Sequence, residues 1–135
     1  MSLFKVFDIA GSGVSAQSRR LNTVASNLAN AESAASSEAD VYRAKQVVFQ
    51  TVLQGKQKDE AAVKVAGVVE DTSTPRKVYD PKHPMAGEDG YVVYPNVNAV
   101  EEMVNMISAS RSYQNNLEVM NTTKSLLLKT LQLGQ

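Results

Sequence analysis

Apolar residues recur every seven positions at both ends of the chain. Near the N-terminus Phe7, Val14, Leu21 and Leu28 occupy one seam position, and Leu3, Ala10, Val24 and Ala31 the other, with Gln17 as the interruption. This spacing predicts a helix over residues 1–31 that packs along a second helix, although an ordinary amphipathic core helix fits the same pattern. Gly11 and Gly13 lie inside it. A glycine in a helix interior costs about 1 kcal/mol relative to alanine, so the pair marks either a kink or a close approach of another backbone.

The C-terminal segment repeats the theme at greater length. Ala99, Met106, Tyr113, Met120 and Leu127 share one seam position, and Met103, Leu117 and Leu131 the other, with Ser110 and Lys124 as exceptions. Asn98 is placed to cap free amides at the helix start, with Glu101 three residues later and Glu102 favouring the positive end of the dipole. Lys129 and Gly134 mark the stop. A helix from 99 to 133 would be on the order of 50 Å long, more than a compact domain of this size requires.

Between these segments the period changes. Residues 41–53 are β-rich and alternate, bounded by Gly55 and a charged turn. Ala62–Val69 gives a second strand with Gly67 as a candidate bulge, and Lys77–Tyr79 and Tyr91–Tyr94 give two more. Pro81 and Pro84 between the last two exclude helix there. Residues 32–40, rich in serine and alanine, read as a flexible connector. The architecture predicted is α+β: a helix over 1–31 and a helix over 99–135 pairing as a coiled coil, with a small β-rich subdomain over 32–98 inserted between them.

Charge sharpens this division. Residues 1–31 and 103–135 hold only 8 of the 28 charged residues, so the two ends look like surfaces meant to be covered. The helices carry directional but uncharged groups instead, among them Asn22, Asn27, Asn30, Asn105, Gln114, Asn116 and Asn121, which serve crowded interfaces without the desolvation cost of charge. Together these features favour polymerisation. The formal net charge of zero removes the basic footprint of a nucleic-acid binder. No run approaches the roughly 20 apolar residues of a membrane span, and no secretory signal is expected, because Asp8 and Gly11 interrupt the first apolar stretch.

Candidate chemistry is sparse. With no cysteine, no tryptophan and one histidine, thiol nucleophiles, disulfides and Cys-based zinc sites are excluded, and no cofactor or metal is expected. The absence of cysteine also suits a protein that works outside the cytoplasm without disulfide trapping. His83 sits in a Pro-bounded turn without a second ligand, and reads as a turn residue. The competing reading is a small enzyme using His83 and nearby acids, in a pocket that sequence does not locate. Gly11, Ser12 and Gly13 complete neither a P-loop nor a dinucleotide fingerprint. The neighbouring acids Asp59 and Glu60, Glu88 and Asp89, and Glu101 and Glu102 point in different directions and read as solvated charges or caps. Met106, Tyr113 and Met120 share one stripe and read as packing.

Residues 26–31, Ser-Asn-Leu-Ala-Asn-Ala, resemble a motif near the N-terminus of bacterial flagellar rod and hook proteins. Residues 1–33, the Asp80-Pro81-Lys82-His83-Pro84 turn, Gly90–Asn96 and Glu101–Tyr113 together resemble the proximal-rod proteins of the flagellar basal body, over essentially the whole chain. The resemblance implies a non-enzymatic structural subunit, exported by the flagellar type III apparatus without a cleaved signal. It would polymerise in the periplasmic rod that carries torque from motor to hook. The partners implied are further copies, other proximal and distal rod subunits, the rod-base adaptor and the export apparatus, with no nucleic acid, small-molecule substrate or membrane insertion. The assembly interface is then expected at Phe7, Val14, Leu21, Val24, Asn27, Leu28 and Asn30, and at Met103, Met106, Tyr113, Leu117, Met120, Leu127 and Leu131. A soluble helical adaptor or export chaperone is the alternative.

Overall fold

A computed structural model describes residues 2–55 and 60–135. Asp59, half of one predicted acidic pair, lies outside them. The element order is α1 (Leu3–Ala29), β1 (Lys45–Leu53), β2 (Ala61–Glu70), β3 (Arg76–Tyr79), β4 (Tyr91–Tyr94) and α2 (Ala99–Leu133). The chain is thus α+β, with long terminal helices that pair and small sheets between them. It folds into two compact units: Met1–Leu21, Val47–Gly67 and Ile107–Gln135 in the first, Asn22–Gln46 and Val68–Met106 in the second.

In the first unit α1 and α2 run antiparallel, since Gly11 lies beside Met120 and Gly13 beside Asn116. A side chain at Gly13 would put its Cβ 2.8 Å from Asn116 Nδ2, so this glycine is there for close approach. Helix α1 runs through both glycines without interruption. Asn116 is held by its own helix, donating from Nδ2 to the Ser112 carbonyl at 2.9 Å. Strand β1 pairs with β2, and the Gln54 N–H donates to the Glu60 carbonyl at 2.7 Å. Glu60, expected to be solvated, is buried and ion-paired with Lys5. Burial of a carboxylate requires such a partner. Ser12 Oγ, which donates to the Ile9 carbonyl at 2.6 Å, accepts the Val63 N–H at 3.1 Å and so fastens β2 to α1.

In the second unit β3 and β4 form an antiparallel hairpin with Val78 opposite Val92 and Tyr79 opposite Tyr91. The connection is a chain of turns: His83 N–H donates to the Asp80 carbonyl, and the Met85 N–H donates to His83 Nδ1 at 3.0 Å. His83 therefore serves the turn, as the sequence reading had it. Gly90, at φ +77°, is required by its positive φ and by the Tyr79 ring, 2.8 Å from where a Cβ would stand.

Residues 32–40 are not the flexible connector that their composition suggests. Ala35 exchanges both backbone hydrogen bonds with Val93, at 2.8 and 3.0 Å, adding a bridge to β4, and Ala35, Val41 and Val93 form a small buried cluster. Ion pairs flank it, Glu32 with Arg76 at 3.3 Å and Glu38 with Lys77 at 2.6 Å. Small residues permit mobility, but here they let the segment lie flat against the hairpin.

The hydrogen bond and charge of Lys77 hold the Glu38 carboxyl below its ordinary value, and Glu38 raises Lys77 in return. A depressed carboxylate contributes above its unfolded value and is lost as pH falls through its folded one. Titration to below 4.5, the ordinary glutamate value, should therefore release this tie, seen by NMR as a Glu38-dependent shift of the Lys77 side chain. Glu38→Gln should show no such transition, and a transition that persists there would assign it elsewhere.

Candidate assembly interface

One asparagine binds three segments together. Asn27 is fully buried on α1, at 0% exposure. Its Nδ2 donates to the Lys45 carbonyl at 2.8 Å and to Glu102 Oε2 at 3.1 Å, while its Oδ1 accepts the Lys45 N–H at 2.9 Å and the Tyr42 hydroxyl at 2.9 Å. Two donors and two lone pairs are all used. By bonding both backbone groups of Lys45, Asn27 acts as the strand partner at the start of β1. It also gives the half-buried Glu102 of α2 a donor. Ser26 Oγ lies 3.2 Å from the Tyr42 hydroxyl, and Asn30 Nδ2 donates to the Ser26 carbonyl at 2.8 Å at the close of α1.

Asn96 performs the matching task one residue away. Its Oδ1 accepts the Ala44 N–H at 2.8 Å, and its Nδ2 faces the Asp71 carbonyl and the carbonyl and hydroxyl of Ser73. Residues 42–45 are thus held by two asparagine side chains, which explains why β1 begins at Lys45 and not at the predicted Val41. Asn98 caps α2 as predicted, accepting the Val100 and Glu101 N–H groups at 3.1 and 3.2 Å. Glu102 is the departure, since it faces Asn27 where a solvated charge was expected.

The seam of the helix pair lies one residue away from part of the predicted one. Along α2 the buried and half-buried positions include Ala99, Glu102, Met106, Ala109, Tyr113, Asn116, Met120, Thr123 and Leu127 in alternating steps of three and four. Met106, Tyr113, Met120 and Leu127 belong to it. Met103, Leu117 and Leu131 do not, being 54%, 40% and 67% exposed. On α1 the buried side chains are Ala10, Ala16, Val24 and Asn27, whereas Phe7, Val14, Leu21 and Leu28 are only half-buried. The contact on α2 alternates small or polar residues, Ala109, Asn116 and Thr123, with Met106, Tyr113, Met120 and Leu127, while Met103, Leu117 and Leu131 stand beside it. Glu102, Tyr42 and Asn96 were missed as contact residues because a heptad count scores apolar residues only, whereas the sequence marks Gly13 as a kink or a close approach and Asn116 as an interface polar group. The signal available was the seven-residue step linking Glu102, Ala109, Asn116 and Thr123, one position before the apolar stripe of Met103 and Leu117.

Among the described residues there is no cluster of three or more metal-ligating side chains and no helix long and apolar enough to cross a membrane. A groove of about 430 Å³ is lined by Asn115, Glu118, Val119, Thr122 and Thr123, all on α2, and one helix face cannot enclose a ligand. The notable surface is aliphatic: Val100, Met103, Val104 and Ile107, then Leu117, Val119, Leu126, Leu128, Leu131 and Leu133, all exposed along α2. Exposed apolar area of this extent marks an interaction site.

Two family models match the chain, one described as flagella basal body rod protein over residues 7–34 and one as the C-terminal region of flagellar basal body rod FlgEFG proteins over residues 88–133. Curated relatives match from end to end. A flagellar basal-body rod protein FlgC of Yersinia enterocolitica is 57% identical over 135 residues, with all of both chains covered, and that of Salmonella typhimurium is 56% identical over the same span. The FlgC protein of Buchnera aphidicola from Acyrthosiphon pisum is 45% identical over 137 residues, again with both chains fully covered.

Removing the side chain of Asn27 would take this partner from the Lys45 backbone and Glu102, both half-buried, and leave the Tyr42 hydroxyl with Ser26 alone, where each buried unsatisfied group costs about 1–3 kcal/mol. With water re-entering, Asn27→Ala should lower unfolding stability by about 2–4 kcal/mol in a denaturant titration. Asn27→Asp should lower it further at neutral pH, since it sets a carboxylate against Glu102 and the Lys45 carbonyl. Equal stability of Asn27→Ala and the parent chain would remove Asn27 from the centre of this unit.

Proposed function

Because the chain belongs to the FlgC family of flagellar basal-body rod proteins, structural subunits of the rod, we propose that it polymerises through its terminal helices into the proximal part of that rod. There it transmits torque from the motor toward the hook. One observation carries this reading: large aliphatics of α2, among them Leu117, Leu126, Leu128 and Leu131, are left exposed beside the helix contact. A chain built to work alone would bury them, since each full burial of a leucine or methionine is worth about 1.5–3 kcal/mol. Repetition of such contacts in a heterologous arrangement gives an open helical polymer. Its neighbours are further copies and other rod subunits, with the rod-base adaptor at one end. The site of action is the periplasm, reached by type III export. The charge-poor helices suit both narrow export and dense packing. The role is mechanical, and no reaction is assigned to it.

Leu117 separates fold from assembly. Leu117→Asp places a carboxylate on an exposed flank of α2, so the monomer should keep its stability to within about 1 kcal/mol. In the assembled rod the same carboxylate would be buried unpaired, at a cost of several kcal/mol for each contact. Secretion should continue while purified basal bodies lack the variant and cells lack hooks, with Glu118→Gln as the neutral control. Normal incorporation of Leu117→Asp would overturn the reading.

A further inference from the structure

Residues 81–86, in the connection from β3 to β4, offer four backbone N–H groups, because Pro81 and Pro84 have none. Three of the four hydrogen bonds they make run through His83. Its own N–H donates to the Asp80 carbonyl at 3.1 Å, its carbonyl accepts the Ala86 N–H at 3.0 Å, and its Nδ1 accepts the Met85 N–H at 3.0 Å. The fourth runs from the Lys82 N–H to Asp80 Oδ1 at 3.3 Å. The ends of the connection close without His83, since the Asp80 N–H donates to the Gly90 carbonyl at 3.0 Å and the Gly87 N–H to the Tyr91 carbonyl at 2.9 Å. A ring nitrogen that accepts a hydrogen bond carries no proton, so the imidazole here is neutral, with its hydrogen on Nε2.

We propose that His83 makes this connection a proton-operated turn, closed over residues 83–86 while the ring is neutral and opened there when Nδ1 takes a proton. A doubly protonated ring has two donors and no acceptor, so Nδ1 and the Met85 N–H would then meet hydrogen against hydrogen. The ring must turn away. Histidine changes charge between about pH 5 and 8, so the tie stands at high pH and is lost as pH falls through the ring's titration. The connection itself supplies counter-charge, with Asp80, Glu88 and Asp89 against Lys82. On the elements joined here, Arg76 and Lys77 are already paired with Glu32 and Glu38, Arg76 lies over the Tyr94 ring, and the Tyr79 and Tyr91 rings meet edge to face at 5.2 Å. Opening leaves the β3–β4 register intact, because that pairing uses none of the bonds of His83. It changes the surface at Pro84 and Met85, both exposed, so a neighbour seated there would meet a shape that one proton sets.

NMR of the dilute full-length chain, from about pH 8 down to about pH 5, reads the Met85 amide and the His83 ring together. At the upper end the ring nitrogens should report the Nε2–H form. On acidification the Met85 amide should shift with the same midpoint as the ring, and its hydrogen exchange, corrected for pH, should rise about fivefold, the factor that loss of one net hydrogen bond supplies. His83→Asn keeps a side-chain acceptor two residues before Met85 and does not titrate, so its Met85 amide should hold still across the window. The Val78 and Val92 amides, inside the hairpin, should keep their positions in both proteins and so report an intact fold. A Met85 amide that ignores the ring's titration overturns the proposal, as does a ring with its hydrogen on Nδ1 at the upper end. A Met85 transition that persists in His83→Asn overturns it too, by assigning the change to Asp80, Glu88 or Asp89.

Discussion

The second compact unit depends on the side-chain amide of Asn27. A primary amide offers two donors and two acceptor positions, and here every one is used, two on the backbone of Lys45, one on Tyr42 and one on Glu102. An apolar residue of the same size could fill the space, but it could not satisfy the start of β1 and a half-buried carboxylate together. The bonds also carry direction, so they set how the segment after α1 leaves the helix. Asn96 repeats the device on Ala44, whose carbonyl also accepts the Asp71 N–H at 2.8 Å.

The same preference for small and polar groups governs the helix contact. Gly13 leaves room for the Asn116 side chain and Gly11 lies beside that of Met120, so α2 comes close to α1 at these glycines. The aliphatic residues are displaced to the sides of α2. A chain that spends its polar, directional contacts on its own fold keeps its non-directional apolar surface for neighbours. This division suits the role proposed for the chain as a rod subunit. The low charge of the terminal segments fits the proposed covering of the α2 flanks, where charges would have to be desolvated.

The elements were legible in the sequence because their signals are local. The heptad spacing marked both helices, the Asn98 cap marked the start of α2, and the prolines at 81 and 84 marked the turn that joins β3 and β4. Asn27 was singled out by motif, but its partners were not, because Lys45 and Glu102 come to it only when the fold closes. The seam was misread by one position at Met103, Leu117 and Leu131 for a physical reason: two adjacent stripes fit a seven-residue repeat equally well, and the more apolar stripe is the one left outside. Residues 32–40 misled in the opposite direction. Their alanines and serines resemble a linker, and the long-range bridge from Ala35 to Val93 has no local signature.

The central claim is that polar contacts build the subunit and aliphatic flanks build the polymer. Hydrogen–deuterium exchange compared between monomeric and assembled protein tests it most directly. Residues 117–133 should gain protection on assembly, while the amides around Asn27 and Lys45 should be protected already in the monomer and change little. Fast exchange at Lys45 in the monomer, with protection gained there and none over residues 117–133, would contradict the account.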